Sequence, residues 1–161
     1  MEKAFDRVPR DTIWWSLRKK NVPEHYVNII ADMYRDARSM VRTVVGETKS
    51  IAVTGVHQGS VLSPFLFCLV LDSLTEAAQN STTWTFIYAD DVAICTESRA
   101  HLQEALVSWK HQLQTGGLVL SVAKTQFMSF NDPDTNNSPI SIDGQLVKSC
   151  DQYKYLGSMM S

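Results

Sequence analysis

Two adjacent carboxylates, Asp90 and Asp91, stand between two apolar runs, Trp84 to Tyr88 and Val92 to Cys95. Like charges that close oppose joint ionisation unless a cation or a basic group balances them. Hard divalent cations such as magnesium take oxygen ligands, and a carboxylate at a strand end is a rigid one. The chemistry open to such a pair is metal-assisted phosphoryl or nucleotidyl transfer. A solvated turn, which aspartate also favours, accounts for the same two residues. A second segment, Gln58-Gly59-Ser60-Val61-Leu62-Ser63-Pro64, puts an amide, a glycine and two hydroxyls in a loop that opens a helix. Free backbone N–H groups at a helix start suit a phosphate or a carbonyl, and Gly59 permits close approach. The same loop also reads as a plain cap, with Ser63 as the capping hydroxyl and Pro64 at the first helical position.

The elements that must hold these segments follow from periodicity and turn residues. Val8-Pro9 ends an extended lead-in, and Arg10 to Lys20 makes a helix offering Trp14, Trp15 and Leu17 for packing. Pro23 opens a second helix, in which Tyr26, Ile29, Ile30, Met33 and Tyr34 recur at the spacing of one apolar face. Ser39 to Val45 and Ser50 to Val56 are β-branched runs that predict a hairpin turning at Gly46, Glu47 and Thr48. A third helix runs to about Gln79, buried through Leu66, Phe67, Val70, Leu71 and Leu74. The two runs flanking the aspartates are short strands joined by Ala89-Asp90-Asp91. A fourth helix, Ala100 to Gln114, turns Leu102, Leu106, Trp109 and Leu113 to one side and stops at Gly116-Gly117. The tail reads as a strand over Leu118 to Phe130, a polar loop over Asn131 to Pro139, and a hairpin around Asp143-Gly144. The predicted class is α+β, an antiparallel sheet covered by helices on one face.

Composition narrows the field. A chain of 161 residues, 44% hydrophobic and 20% charged, suits one globular domain and excludes intrinsic disorder. The longest apolar stretch, Val61 to Leu71, is broken by Ser63 and Pro64 and falls short of a membrane span. Cys68, Cys95 and Cys150 are odd in number and form no C-x-x-C pair, which points to a reducing compartment and to oxygen ligands for any metal. The net charge of −2 is unevenly spread: residues 1–42 carry nine Lys/Arg against six Asp/Glu, the rest six against eleven. A basic front is compatible with a phosphate-binding surface, and equally with solvated helix faces.

Gln58-Gly-Ser-Val-Leu-Ser-Pro64 followed by Tyr88-Ala-Asp-Asp91 resembles the palm of a reverse transcriptase of the non-LTR, LINE-type retrotransposon class. The remaining motifs keep the same order. Glu2-Lys-Ala-Phe-Asp-Arg-Val8 looks like the end of the first palm motif, Gly117-Leu118 through Lys124-Thr125 like the fourth, and Tyr153-Lys-Tyr-Leu-Gly157 like the fifth. The resemblance implies a polymerase palm-like fold truncated at its N-terminus, with residues 1–161 forming a partial reverse transcriptase domain and the fingers, thumb and endonuclease regions lying elsewhere. It implies that Asp90 and Asp91 bind two magnesium ions, with manganese as a substitute. By the same resemblance Phe5 lies under the nucleotide sugar, and Gln58, Gly59, Tyr88 and Ala89 meet the incoming nucleotide and template. Lys124 sits near the leaving pyrophosphate, and Tyr155, Leu156 and Gly157 grip the primer.

The implied partners are an RNA template, a DNA primer and deoxynucleoside triphosphates, with no membrane and an intracellular site of action in nucleus and cytoplasm. In the family the first motif opens with a third metal-binding aspartate directly before the position of Met1, so residues 1–161 are expected to be inactive alone. The alternative from another class is a non-catalytic, retrotransposon-derived module that binds nucleic acid or a partner. A nucleotide cyclase on a similar palm, needing no primer, and a plain structural domain are the further readings.

Overall fold

A computed structural model of the chain describes residues 1–79, 83–130 and 139–161. The chain opens on a helical turn, α1 (Ala4–Arg7), where an extended lead-in is expected. Val56 N–H donates to the Phe5 carbonyl at 2.9 Å, so a contact fifty-one residues along the chain holds that turn. Pro9, extended at φ −65° and ψ 135°, separates α1 from α2 (Arg10–Lys19). In α2 the buried residues are Ile13, Ser16 and Leu17, while Trp15 stays exposed with the Lys19 ammonium over its ring.

Helix α3 (Glu24–Met33) follows Pro23 as predicted, but its buried side is shifted. Val27 and Tyr34 are buried and Ile30 packs against the core, whereas Tyr26, Ile29 and Met33 are more than half exposed. The reason is geometric: among the helices α3 packs chiefly on α2, and that narrow contact covers the line 27, 30, 34 rather than the whole apolar stripe.

The predicted hairpin forms as a ribbon. Strand β1 (Arg38–Ser39) pairs antiparallel with β4 (Ile51–Ala52), and β2 (Arg42–Thr43) with β3 (Gly46–Glu47). The tip is Val44-Val45, two residues before the expected turn, because Gly46 (φ 132°) is used inside the β3 pairing.

Helix α4 (Leu62–Thr75) continues into a 3-10 turn at Glu76–Ala78. It begins before the predicted cap. Leu62 N–H donates to the Ser60 hydroxyl, while Ser63, inside the helix, donates to the His57 carbonyl at 2.6 Å. Leu66, Phe67, Val70 and Leu71 are fully buried, each worth about 1.5–3 kcal/mol of apolar burial. They form the main core with Ile13, Leu17, Val27, Tyr34 and Leu113.

Strands β5 (Trp84–Tyr88) and β6 (Asp91–Cys95) form an antiparallel hairpin with Tyr88 opposite Asp91. Its connection is only Ala89-Asp90, since Asp91 already belongs to β6. Helix α5 (Arg99–Thr115) starts at Ser98, whose hydroxyl accepts from His101 N–H. It packs on α4 and β6, buries Trp109, and puts Leu113 in the main core and Leu106 in a second cluster with Ile140, Ile142 and Val147.

The stretch predicted as one strand over 118–130 holds a 3-10 turn (Val122–Lys124) and a two-residue strand, β7 (Gln126–Phe127). The polar loop expected over Asn131 to Pro139 falls outside the described residues up to position 138. Strands β8 (Ser141–Ile142) and β9 (Gln145–Leu146) turn at Asp143-Gly144, both with positive φ, as predicted. Strand β10 (Lys148–Ser149) pairs parallel with β7, and β11 (Tyr153–Tyr155) antiparallel with β12 (Ser158–Met160).

The fold class is α+β, as expected from the sequence. In place of one sheet under a layer of helices, the described strands form six separate two-stranded pairs. Most are two or three residues long and exposed on both faces, too short to extend a ladder to a third strand.

Candidate active site

Asp90 and Asp91 sit at the tip of the β5–β6 hairpin, whose Ile87 packs into the main core and whose β6 strand rests on α5. The tip is therefore anchored from behind. Ala89, just before the pair, has φ 50°, a left-handed conformation that costs an alanine about 1–2 kcal/mol. Among the described residues no ion pair or side-chain hydrogen bond engages either carboxylate, so their oxygens remain available as ligands.

A cavity of about 320 Å³ opens beside them. Its rim carries Asp90, Asp91, Lys124 and Tyr153, and its floor is apolar, with Leu106, Phe127, Ile140 and Val147 among its lining. Residues from three of the recognised motifs, 33 and 62 positions apart along the chain, thus meet at one opening. Tyr155, on β11, lies near enough to feel the same charge. Burial chiefly, then the negative charge of Asp91 and the neighbouring Tyr153, pushes its hydroxyl pKa up, which keeps it a neutral donor. The β11–β12 turn is Leu156-Gly157 with φ of 48° and 90°, and it leaves Leu156 52% exposed. A branched aliphatic residue at positive φ, turned toward solvent, is a costly choice for a turn.

A second cavity, about 390 Å³ and open, is lined by Phe5, His57, Gln58, Gly59, Ser60, Val61, Ser63 and Pro64. Phe5 stacks on the buried Phe67 (centroids 4.6 Å, 25° between planes) while still lining this opening. It is both a core residue and a wall of the site. The Gln58 side-chain N–H donates to the Asp6 carboxylate at 2.6 Å. The N-terminal segment joins the two openings: Met1 lines the cavity beside the aspartates and Phe5 lines the one beside Gln58. Glu2 N–H, donating to the Val119 carbonyl at 3.0 Å, fastens that segment to the chain leaving α5.

Nine of the eleven sequence-predicted site residues fall at one of three places. Asp90, Asp91 and Lys124 share one cavity, Phe5, Gln58 and Gly59 share the other, and Tyr155, Leu156 and Gly157 form the β11–β12 turn. Tyr88 is 63% exposed at the end of β5 and, with Ala89, lines neither cavity. Sequence reasoning missed Arg10, Tyr34 and His57 and gave Asp6 no role, although all four bear on the Gln58 loop. The partners of Asp6 and Arg10 lie 24 to 52 residues away, which no local spacing signals.

The donor set suits a hard divalent cation in type, two carboxylates without competing partners, but not in number. Among the described residues no group of three or more His, Cys, Asp or Glu side chains gathers to hold a metal, so Asp90 and Asp91 need further oxygen ligands. No helix among the described residues is long and apolar enough to cross a membrane.

Comparison with known proteins identifies the family. The chain is 28% identical over 176 residues to a Retrovirus-related Pol polyprotein from the type-1 retrotransposable element R2 of Nasonia vitripennis, covering 98% of the chain and 17% of that protein. It is 26% identical over 171 residues to an RNA-directed DNA polymerase from the mobile element jockey of Drosophila melanogaster, covering 98% and 18%. It is also 26% identical over 175 residues to a Retrovirus-related Pol polyprotein from the type-2 element R2DM of the same fly, covering 98% and 17%. The chain spans less than a fifth of the length of these three curated relatives. Residues 1–160 match the family model described as reverse transcriptase (RNA-dependent DNA polymerase). With that match running almost from end to end, the chain belongs to the reverse transcriptase family, and its resemblance to the enzymes of non-LTR retrotransposons holds.

Proposed function

We propose that residues 1–161 are the palm section of an RNA-directed DNA polymerase, carrying the acidic pair and the nucleotide-facing loop of a non-LTR retrotransposon enzyme. One observation carries the reading: the pair Asp90 and Asp91 and, from a second motif, Lys124 line a single cavity. In the reaction, the primer 3′-oxygen attacks the α-phosphorus of a deoxynucleoside triphosphate paired to an RNA template. The bond from that phosphorus to the bridging oxygen breaks, pyrophosphate leaves, and the hydroxyl proton passes to water.

Asp90 and Asp91 supply oxygen ligands from a hairpin tip that the core fixes in place, and positioning is most of what phosphoryl transfer requires of a protein. Asp90 and Asp91 would hold divalent cations there, magnesium or manganese, which when bound would neutralise phosphate charge and favour ionisation of the 3′-hydroxyl. Lys124, exposed on the 3-10 turn at the same cavity, meets the negative charge that grows on the leaving pyrophosphate. Phe5 is a rigid wall because Phe67 backs its ring, so it sits under a sugar without room to yield. Gln58 and Gly59 face the same opening and touch the nascent base pair. Tyr155, Leu156 and Gly157 hold the primer end near Asp91. Further oxygen ligands complete the set, since no third carboxylate gathers with Asp90 and Asp91 among the described residues.

Primer extension on an RNA template tests the reading in the full-length polymerase carrying this section. Activity that requires magnesium or manganese and falls at least 10³-fold in Asp90→Ala with Asp91→Ala supports it, the order of loss expected when a charge-stabilising group is removed. Extension that survives the double change refutes it and returns the segment to a non-catalytic binding role.

A further inference from the structure

We infer that Arg10 is the positioning residue for the Gln58 loop. This rests on the proposed role of Gln58 and Gly59 at the incoming nucleotide. Arg10 opens α2 and its guanidinium donates to three backbone carbonyls: Tyr34 at 2.7 Å, Val53 at 2.7 Å and Gly55 at 3.3 Å. Those carbonyls belong to the residue that caps the C-terminus of α3 and to the chain leaving β4. One half-buried fork therefore ties α2, α3 and the start of the loop at a single point.

The link continues sideways. The Arg10 guanidinium lies over the Tyr34 ring, 5.2 Å from its centroid. Tyr34, 2% exposed, stacks on His57 with centroids 4.4 Å apart and 23° between planes, and its hydroxyl meets Ser63 Oγ at 3.4 Å. Arg10, Tyr34 and His57 form a column that ends at the residue before Gln58. The far side of the loop is held by α1, where Val56 N–H donates to the Phe5 carbonyl and Thr54 Oγ1 to the Asp6 carbonyl. Arg10 is the member that a lysine cannot replace. An ammonium is a point charge with no planar fork, so it cannot reach three carbonyls at once while lying flat on a ring.

The test uses the full-length polymerase and two variants, Arg10→Lys and Arg10→Ala. Hydrogen exchange followed by mass spectrometry reads the structure without needing activity. Peptides spanning 53–60 are expected to exchange about tenfold faster in both variants, with those from α4 and α5 unchanged. Steady-state primer extension is expected to show the KM for the nucleotide raised about tenfold in Arg10→Lys, with kcat within about threefold and template–primer affinity unaltered. Exchange over 53–60 and KM both within twofold of the parent overturn the inference. So does exchange that rises equally in α4 and α5, which makes Arg10 a residue of the fold at large. If the loop loosens but the parent enzyme shows no metal-dependent extension, the polymerase reading fails while the role of Arg10 in holding the loop stands.

Discussion

Replacing Gly55 with alanine should cost far more than a glycine-to-alanine change in a loop ordinarily does. Gly55 has φ 73°, which penalises any side chain by about 1–2 kcal/mol. A Cβ built there would meet Phe5 O at 2.2 Å, Asp6 C at 2.5 Å and Asp6 O at 2.6 Å, all backbone atoms that no rotamer change can move aside. Relief requires α1 to withdraw. That withdrawal breaks the Val56–Phe5 hydrogen bond and strains those from Thr54 and Gln58 to Asp6, each worth about 0.5–1.5 kcal/mol. The expected loss is about 3–4 kcal/mol. Urea unfolding measures it: with a slope of about 2 kcal/mol/M, the midpoint drops by about 1.5–2 M. Gly59→Ala is the control, because φ is 85° there but nothing lies within 4 Å of its Cβ position, leaving only the conformational cost of about 1–2 kcal/mol. A Gly55→Ala loss no larger than that of Gly59→Ala would refute the close seating of α1 against the loop.

Two further changes probe other parts of the molecule. Leu156→Asn places a residue that favours positive φ at the first position of the β11–β12 turn, so thermal unfolding should show a gain of about 0.5–1 kcal/mol. Primer affinity should fall at the same time, and a variant that is both more stable and fully active would remove Leu156 from the primer-binding set. The Arg18 guanidinium, 2.5 Å from Glu24, holds that carboxyl below its ordinary value of 4.5. A depressed folded-state pKa contributes stability above 4.5 that is lost as pH falls through the lowered value. The unfolding gap between the parent and Arg18→Leu should therefore be widest near neutrality and close below pH 4.5, and a gap constant with pH contradicts the pairing.

The residues legible from the sequence were those whose neighbours along the chain declare their setting. Asp90 and Asp91 stand out because apolar strands flank them, and α4 because Leu66, Phe67, Val70, Leu71 and Leu74 recur at helical spacing and are all buried. The Asp143-Gly144 hairpin was legible for the same reason, its turn chemistry lying in two adjacent residues. What stayed hidden depends on distant partners. Arg10 reads as one more basic residue in a solvated front, yet its three carbonyls come from positions 34, 53 and 55. The apolar stripe of α3 shows which side could be buried, not how much of it a neighbour covers, and only Val27, Ile30 and Tyr34 find that cover. The sheet was over-read because β-branched runs such as Ser39 to Val45 mark extended backbone without saying whether a third strand lies alongside.

On the proposed function, Asp90 and Asp91 hold the divalent cations that drive polymer growth. Manganese binding to the full-length polymerase, read by electron paramagnetic resonance with template–primer and a non-hydrolysable nucleotide present, tests it directly. Asp90→Asn is expected to abolish, or weaken by at least tenfold, the tight manganese sites of the parent. Unchanged manganese stoichiometry and affinity in Asp90→Asn would contradict it.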